Sequence, residues 1–403
     1  MSRADRTSSF RIAAAAIGAA LAVWAFSEAT GVAQPAGQQA SQPAGQQAGQ
    51  PAGQEAGATT FRLLTFEVGS SGPRLGTTVG NGAQDIVDVH NAILYLYTSG
   101  APEAKTLNAI PIDMRSLIEA GPTPIAAVKT VHKTITAIKT GGKFKEPGGT
   151  QRVFHPHAGV KFLPPVPNPS KVYGLAGNYI RKTPDGKLGS FDEVEYPSAF
   201  LKPPSSLTGH ESEINLEGLL TKGVYEPEMT IVIGKKAVNV PVSEALDYVM
   251  GYTILNDVSS RDLPAGKHTS QGSTMSKGID TFSPAGPYIT LKEDVPNPHN
   301  MVVSGVINGK LHEWPVPNGN TSFLTFTMAE MVAYFSERMT LLPGDLIATG
   351  VPQPTMGFAA GDTVELTIGH LGTLRNRVVS KPVAGHKIFP ARKTAKTGSE
   401  PVK

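Results

Sequence analysis

The chain has 403 residues, 40% of them hydrophobic, and 36 basic against 33 acidic side chains give a formal charge of +3. That length can bury a large core and allows two or three domains, while the near balance of charge, with no basic stripe interleaved with aromatics, excludes nucleic acid as a partner. The absence of cysteine excludes disulfides, a lipoprotein attachment and thiolate metal sites.

Arg3, Arg6 and Arg11 lead into the apolar stretch "IAAAAIGAALAVWAF", followed by small residues ending "TGVA". This is the order of a charged n-region, an h-region and a cleavage site, placed after Ala33, so that 1–33 read as a signal peptide. The apolar stretch falls short of the roughly 20 residues that span a bilayer. Cleavage and export, to the periplasm or the medium, are expected, with no stable membrane insertion afterwards; an uncleaved tether is the alternative. From Gln34 the near-copies "QPAGQQAS", "QPAGQQAG" and "QPAGQEAG" offer almost no apolar surface to offset their ordering entropy. Residues 34–60 therefore read as a flexible linker.

Order is expected from Phe61. "FRLLTFEVG" and "RLGTTVG" read as strands, "QDIVDVHNAI" as a strand running into a helix, and "DMRSLIEAG" as a helix stopped by Gly121. Residues 61–140 form a small mixed α/β N-terminal domain on this reading. The Gly- and Pro-rich passage 141–169, with "LPPVPNP", is a connector or extended wrap. Beyond it, 170–380 carries short runs rich in β-branched residues, among them "KVYGLAGNY", "MTIVIG", "YTILNDV", "PYITL" and "DTVELTIGHLGTL". Only "VSEALDYVMG", with Ser243 as N-cap, and "TMAEMVAYFSERMT" read as helices there. The fold class is α+β, mostly β. The basic tail 381–403 reads as flexible.

Within "GVYEPEMTIVIG" two glutamates, Glu226 and Glu228, flank Pro227. At strand periodicity they share one face, and the proline between them suits a strand entrance or edge. Alone, such a pair is a solvated strand end. The run that follows, however, is apolar on nearly consecutive positions, as in a strand buried on both faces. Carboxylates at its mouth need a cation or hydrogen bonds to stay ionised. Asp257 closes "YTILND" in the same way. Three carboxylates without cysteine or paired histidines suit a hard cation, Mg²⁺, Mn²⁺ or Ca²⁺. His210 in "LTGHESE" and His155 and His157 in "FHPHAG" are lone histidines, weak candidates beside this group.

The stretches "PNPSKVYGLAGNY", "AFLKPPSSLTG", "YEPEMTIVIGKKA", "EALDYVMGYTILNDVSSRDL", "SKGIDTFSPAGP", "MTLLPGDLIATGVP" and "LGTLRN" together resemble the fumarylacetoacetate hydrolase family. The resemblance covers most of 61–380 and implies a β-roll-like C-terminal catalytic domain, a smaller N-terminal domain and a homodimer. It implies a divalent metal, Mg²⁺ or Mn²⁺, on Glu226, Glu228 and Asp257, an active-site lysine at Lys277, and Thr349 as a contact to the substrate carboxylate. Arg261 is a further candidate substrate contact, although the glutamine often found after it in the family is replaced here by Leu263-Pro264. The family's hydrolases follow "NY" with a histidine and a glutamate that activate water; in "NYIRKTPD" those places hold Lys182 and Asp185, the candidate catalytic residues there, the lysine as a base only if burial or a neighbouring cation lowers its pKa. The implied function is metal-dependent hydrolysis of a C–C bond in an acylpyruvate or 2-oxo acid through an enolate. The replaced pair gives weight to isomerisation or decarboxylation of a 2-hydroxymuconate-type or 2-oxo dicarboxylic acid, and a third reading is a non-catalytic 2-oxo acid binding protein.

Overall fold

A computed structural model of the chain describes residues 61–79, 85–102, 107, 110–180, 195–217, 222–260, 272–312, 319–352 and 355–382. The signal and linker segments, the "RKTPD" stretch, Arg261 and most of the basic tail lie outside these residues. The architecture is mixed and strand-dominated, as the composition of the apolar runs indicates.

Its centre is an antiparallel pair, Pro227–Ile233 against Val249–Asn256, in the register Pro227↔Asn256 and Glu228↔Leu255. Every residue of both strands is buried, which is why the sequence there is an unbroken apolar run and not an alternation. Val249–Asn256 pairs on its other edge with Ser283–Leu291. Pro227–Ile233 pairs with Leu346–Ala348, which in turn runs parallel to Val172–Ala176. The last strand on that side is Ser198–Lys202.

Strands from the N-terminal region do not make a sheet of their own. Arg62–Glu67 pairs with Ser283–Leu291, with Arg62 opposite Thr290, so the early strands extend the sheet that carries Glu228. The 141–169 passage likewise contributes two short strands, Phe154–Pro156 and Lys161–Phe162, to this sheet. A second sheet of five strands runs from Lys310–His312 through Val303–Ile307, Thr363–Ile368 and Gly372–Val379 to Glu213–Asn215. Its inward residues Leu366, Ile368 and Leu374 join Ile231, Ile233 and Tyr252 of the first sheet in one core, closed by Met331 and Phe335 of the helix Met328–Arg338. Thr327 starts that helix with a capping box to Glu330, worth about 1 kcal/mol.

Helix boundaries differ from the sequence reading in two places. "VSEALDY" forms a 3-10 helix over Val242–Tyr248 entered from Pro241, not an α-helix capped by Ser243. Only Ala245 is buried along it, so no apolar face holds a wider turn against the core. Past Gly121 a long helix, Pro122–Thr140, follows directly on Met114–Ala120. Gly121, at φ 85°, ends one helix and admits the other, whose first turn begins with proline.

Gly251 sits where the central strands are tightest: a Cβ there would lie 2.2 Å from the carbonyl oxygen of Thr290 in the neighbouring strand. Gly251→Ala should therefore force the two strands apart and cost about 3 kcal/mol, measured as a lower urea midpoint with unchanged slope.

Candidate active site

The central strand pair delivers all three predicted carboxylates to one place. Glu226 precedes the strand Pro227–Ile233, Glu228 is its second residue, and Asp257 follows Val249–Asn256. Two hydrogen bonds knit the strand mouths together: the Asp257 N–H donates to the Glu226 carbonyl at 2.9 Å, and the Glu226 N–H donates to Asn256 Oδ1 at 2.9 Å. One oxygen from each carboxylate lies within 4.8 Å of the others. Glu228 and Asp257 are fully buried.

Lys277, the lysine singled out by the resemblance, stands at the end of the short helix Gly272–Lys277 and reaches them. Its Nζ donates to Glu226 Oε2 and to Asp257 Oδ2, each at 2.7 Å. A second lysine, absent from the sequence reading, reaches the same group from the other side: Lys202 Nζ donates to Asp257 Oδ1 at 2.5 Å and to the Phe282 carbonyl at 3.0 Å. Ser259 Oγ donates to Glu226 Oε1 at 3.1 Å, and the Gly350 N–H donates to Glu228 Oε2 at 2.7 Å. Gly350 has φ +94°, a conformation that glycine reaches without strain, and the turn it makes aims this N–H at the carboxylate.

Thr349, the predicted substrate contact, is buried beside it. Its N–H donates to the Met229 carbonyl and its carbonyl accepts from Asn178 Nδ2, which leaves the hydroxyl as a polar atom with no partner among the described residues. Glu228 Oε1 and the hydroxyl of Tyr179 are unpartnered in the same sense. Lys182, Asp185 and Arg261 lie outside the described residues.

Burial pushes Glu228 well above the ordinary carboxylate range, and the charges of Asp257 and Glu226 push it the same way. At Asp257 burial works upward too, but Lys202 and Lys277 outweigh it and hold the group below its usual value. Burial lowers Lys277, and Asp257 and Glu226 more than offset this, so that its ammonium form is favoured. Burial pulls Lys202 below its ordinary value against the charge of Asp257. The donor set fits a hard divalent cation: three carboxylate oxygens converge, and Glu228 Oε1 is buried with no partner among the described residues. Glu226, Glu228 and Asp257 are the residues that could hold it.

The lone histidines do other work. His155 Nε2 contacts the Arg152 carbonyl at 3.1 Å. His157, His210 and Glu211 also bring ligand atoms within 4.8 Å of one another, yet His210 Nδ1 accepts the Arg375 N–H at 3.0 Å. A neutral ring in that state carries its proton on Nε2 and has no lone pair left for a metal. The ring packs edge-on against Phe162, a structural role.

The profile of the fumarylacetoacetate (FAA) hydrolase C-terminal family matches residues 171–379. The mitochondrial oxaloacetate tautomerase fahd2 of Xenopus laevis is 29% identical over 330 residues, 80% of this chain and 91% of its own length. The 4-hydroxyphenylacetate degradation bifunctional isomerase/decarboxylase of Escherichia coli is 36% identical over 225 residues, 56% of this chain and 50% of its own. Among solved structures, maleylpyruvate hydrolase from Sphingobium sp. SYK-6 in complex with manganese(II) and pyruvate superposes with a TM-score of 0.55 at 28% identity, across 79% of this chain and all but 1% of that one, its coverage being 99%.

Burial lowers the pKa of His210 to about 3, with His157 and Arg375 adding to the effect. The unfolded chain takes up that proton near 6.5 and the folded one only near 3, so stability is lost as pH falls between the two. In His210→Gln, which keeps an acceptor for the Arg375 N–H, the urea stability profile between pH 6 and 4 should be flatter by about 1.4 kcal/mol per pH unit.

Proposed function

This chain belongs to the fumarylacetoacetate hydrolase family, and from that membership we propose that it catalyses keto–enol tautomerisation or a related isomerisation of a 2-oxo dicarboxylic acid of the oxaloacetate kind. The observation that carries the reading is the convergence of Glu226, Glu228 and Asp257 on one buried point with Lys277 bonded to two of them. A divalent cation bound there would supply Lewis acidity to the 2-oxo carboxylate and so lower the energy of its enolate.

The chain's own residues do the rest. Lys277, held as an ammonium by two carboxylates, places positive charge and hydrogen-bond donors beside the oxygen on which the enolate charge develops. The Thr349 hydroxyl, buried and without a partner among the described residues, is a donor for the substrate carboxylate. The Gly350 N–H and Ser259 keep Glu228 and Glu226 in fixed orientations while charge shifts in front of them. Enolisation needs a group to carry a proton at C3 but no activated water. That distinction favours tautomerisation here, since Lys182 and Asp185 stand where the family's hydrolases have their water-activating histidine and glutamate. The Xenopus relative, matched over most of both chains, supports the same choice.

Hydrolysis of an acylpyruvate is the second reading, supported by the likeness to the manganese and pyruvate complex of maleylpyruvate hydrolase. Assays with Mg²⁺ or Mn²⁺ separate them. Enol oxaloacetate should convert to its keto form faster with the enzyme than without. Glu228→Gln and Lys277→Met should each lower that rate by about 100-fold or more, and acylpyruvates should remain intact. Cleavage of acylpyruvates without any effect on oxaloacetate would establish the hydrolase; metal-dependent oxaloacetate binding without turnover would establish the binding protein.

The reading places this activity outside the cytoplasm, on the strength of the "IAAAAIGAALAVWAF" segment and the linker after it. Mass spectrometry of the protein from its native host should find a mature N-terminus at Gln34; a chain starting at Met1 would exclude cleavage.

A further inference from the structure

Each of the three carboxylates has one oxygen already spoken for. Gly350 N–H holds Glu228 Oε2, Ser259 Oγ holds Glu226 Oε1, and Lys202 Nζ holds Asp257 Oδ1. What remains is one oxygen apiece: Glu228 Oε1, which has no partner among the described residues, and Glu226 Oε2 and Asp257 Oδ2, which Lys277 bridges. Lys202 is the strongest of the three restraints. Its side chain is wholly inaccessible, its second bond anchors it to the Phe282 carbonyl, and its position at the end of the strand Ser198–Lys202 fixes its approach.

We infer that Lys202 is a positioning residue that keeps Asp257 a one-oxygen ligand and thereby makes the site select small octahedral cations over Ca²⁺. The physical reason lies in coordination number. Ca²⁺ gathers six to eight oxygens and commonly draws carboxylates in through both; Mg²⁺ and Mn²⁺ accept six in near-octahedral order. Three one-oxygen carboxylates leave three octahedral places for substrate and water, but leave Ca²⁺ short of ligands. The ammonium also offsets one of the three negative charges, which weakens binding of every cation without regard to size. Denticity changes the ratio of affinities, and charge changes all of them together.

The inference rests on the metal site proposed above, and calorimetric titration of the full chain with Mn²⁺ and with Ca²⁺ tests the two separately. The unaltered protein should bind Mn²⁺ in preference to Ca²⁺. In Lys202→Met Asp257 Oδ1 loses its restraint and can join Oδ2 on the cation, and the Mn²⁺/Ca²⁺ affinity ratio should fall by about tenfold or more. In Lys202→Gln, which keeps a donor to Asp257 Oδ1 without the charge, both affinities should rise together and the ratio should hold. An unchanged ratio in Lys202→Met, or loss of all cation binding by a folded Lys202→Met protein, would overturn the role of Lys202 and leave the metal site standing. Failure of the unaltered chain to bind Mn²⁺ would overturn the site and the inference with it. Should Lys202→Met not fold, a crystal structure of the unaltered protein with Ca²⁺ decides the matter: Asp257 bound through Oδ2 alone supports the inference, and Asp257 bound through both oxygens overturns it.

Discussion

Asp257 lies between two ammonium groups, and the arrangement of the site follows from that placement. Three carboxylates brought within 4.8 Å of one another in a protein interior repel strongly, and the cost grows as water is removed. Lys202 on one side and Lys277 on the other oppose that repulsion, both through Asp257 and Lys277 through Glu226 as well. Glu228 has neither lysine bonded to it: the charge of Lys277 and the Gly350 N–H favour its ionised form, yet burial and the charges of Asp257 and Glu226 outweigh both and raise its pKa. The site is thus unevenly balanced: settled at Asp257 and strained at Glu228, which is the oxygen donor a cation would relieve most.

The two kinds of lysine illustrate what a sequence can and cannot disclose. Glu226, Glu228 and Asp257 were legible because strand periodicity is local: a two-residue spacing ahead of an unbroken apolar run places side chains on one face before any tertiary contact is known. Lys277 was legible only through family resemblance. Lys202 was invisible to both approaches, although its motif, "AFLKPPSSLTG", is part of the likeness. A lysine at a strand end before two prolines has every local mark of a surface residue, and its partner is 55 positions away. One signal was available in principle: three carboxylates, two of them fully buried, against one cationic neighbour leave a charge deficit, which asks for a second cation somewhere in the chain.

The misread elements fail for similar reasons. Val242–Tyr248 has helical spacing of apolar residues, but Val242 and Leu246 face solvent, and periodicity cannot say whether a stripe finds anything to cover it. The helix Pro122–Thr140 was missed because Gly121 is a correct stop signal for the helix before it, and stop signals do not exclude an immediate restart. The boundary drawn near residue 140 also obscures a continuity. Backbone pairing of Arg62 and Leu63 with Thr290 and Ile289 runs through Ser283–Leu291 into the strand that ends at Asn256, just before Asp257, so early strands brace the same framework as the acidic cluster.

Gly350 gives the cluster a kind of inheritance that its other restraints lack. Lys202 and Ser259 can each be erased by one codon, and their hydrogen bonds vanish with the side chain. The donor at position 350 is main chain, so short of proline no substitution deletes it. What a mutation can spoil is the path of the chain at φ +94° and hence the direction of the N–H. Orientation of Glu228 therefore passes from ancestor to descendant as the shape of a turn, and drift at this position would be felt as misaimed geometry while the inventory of functional groups stayed complete.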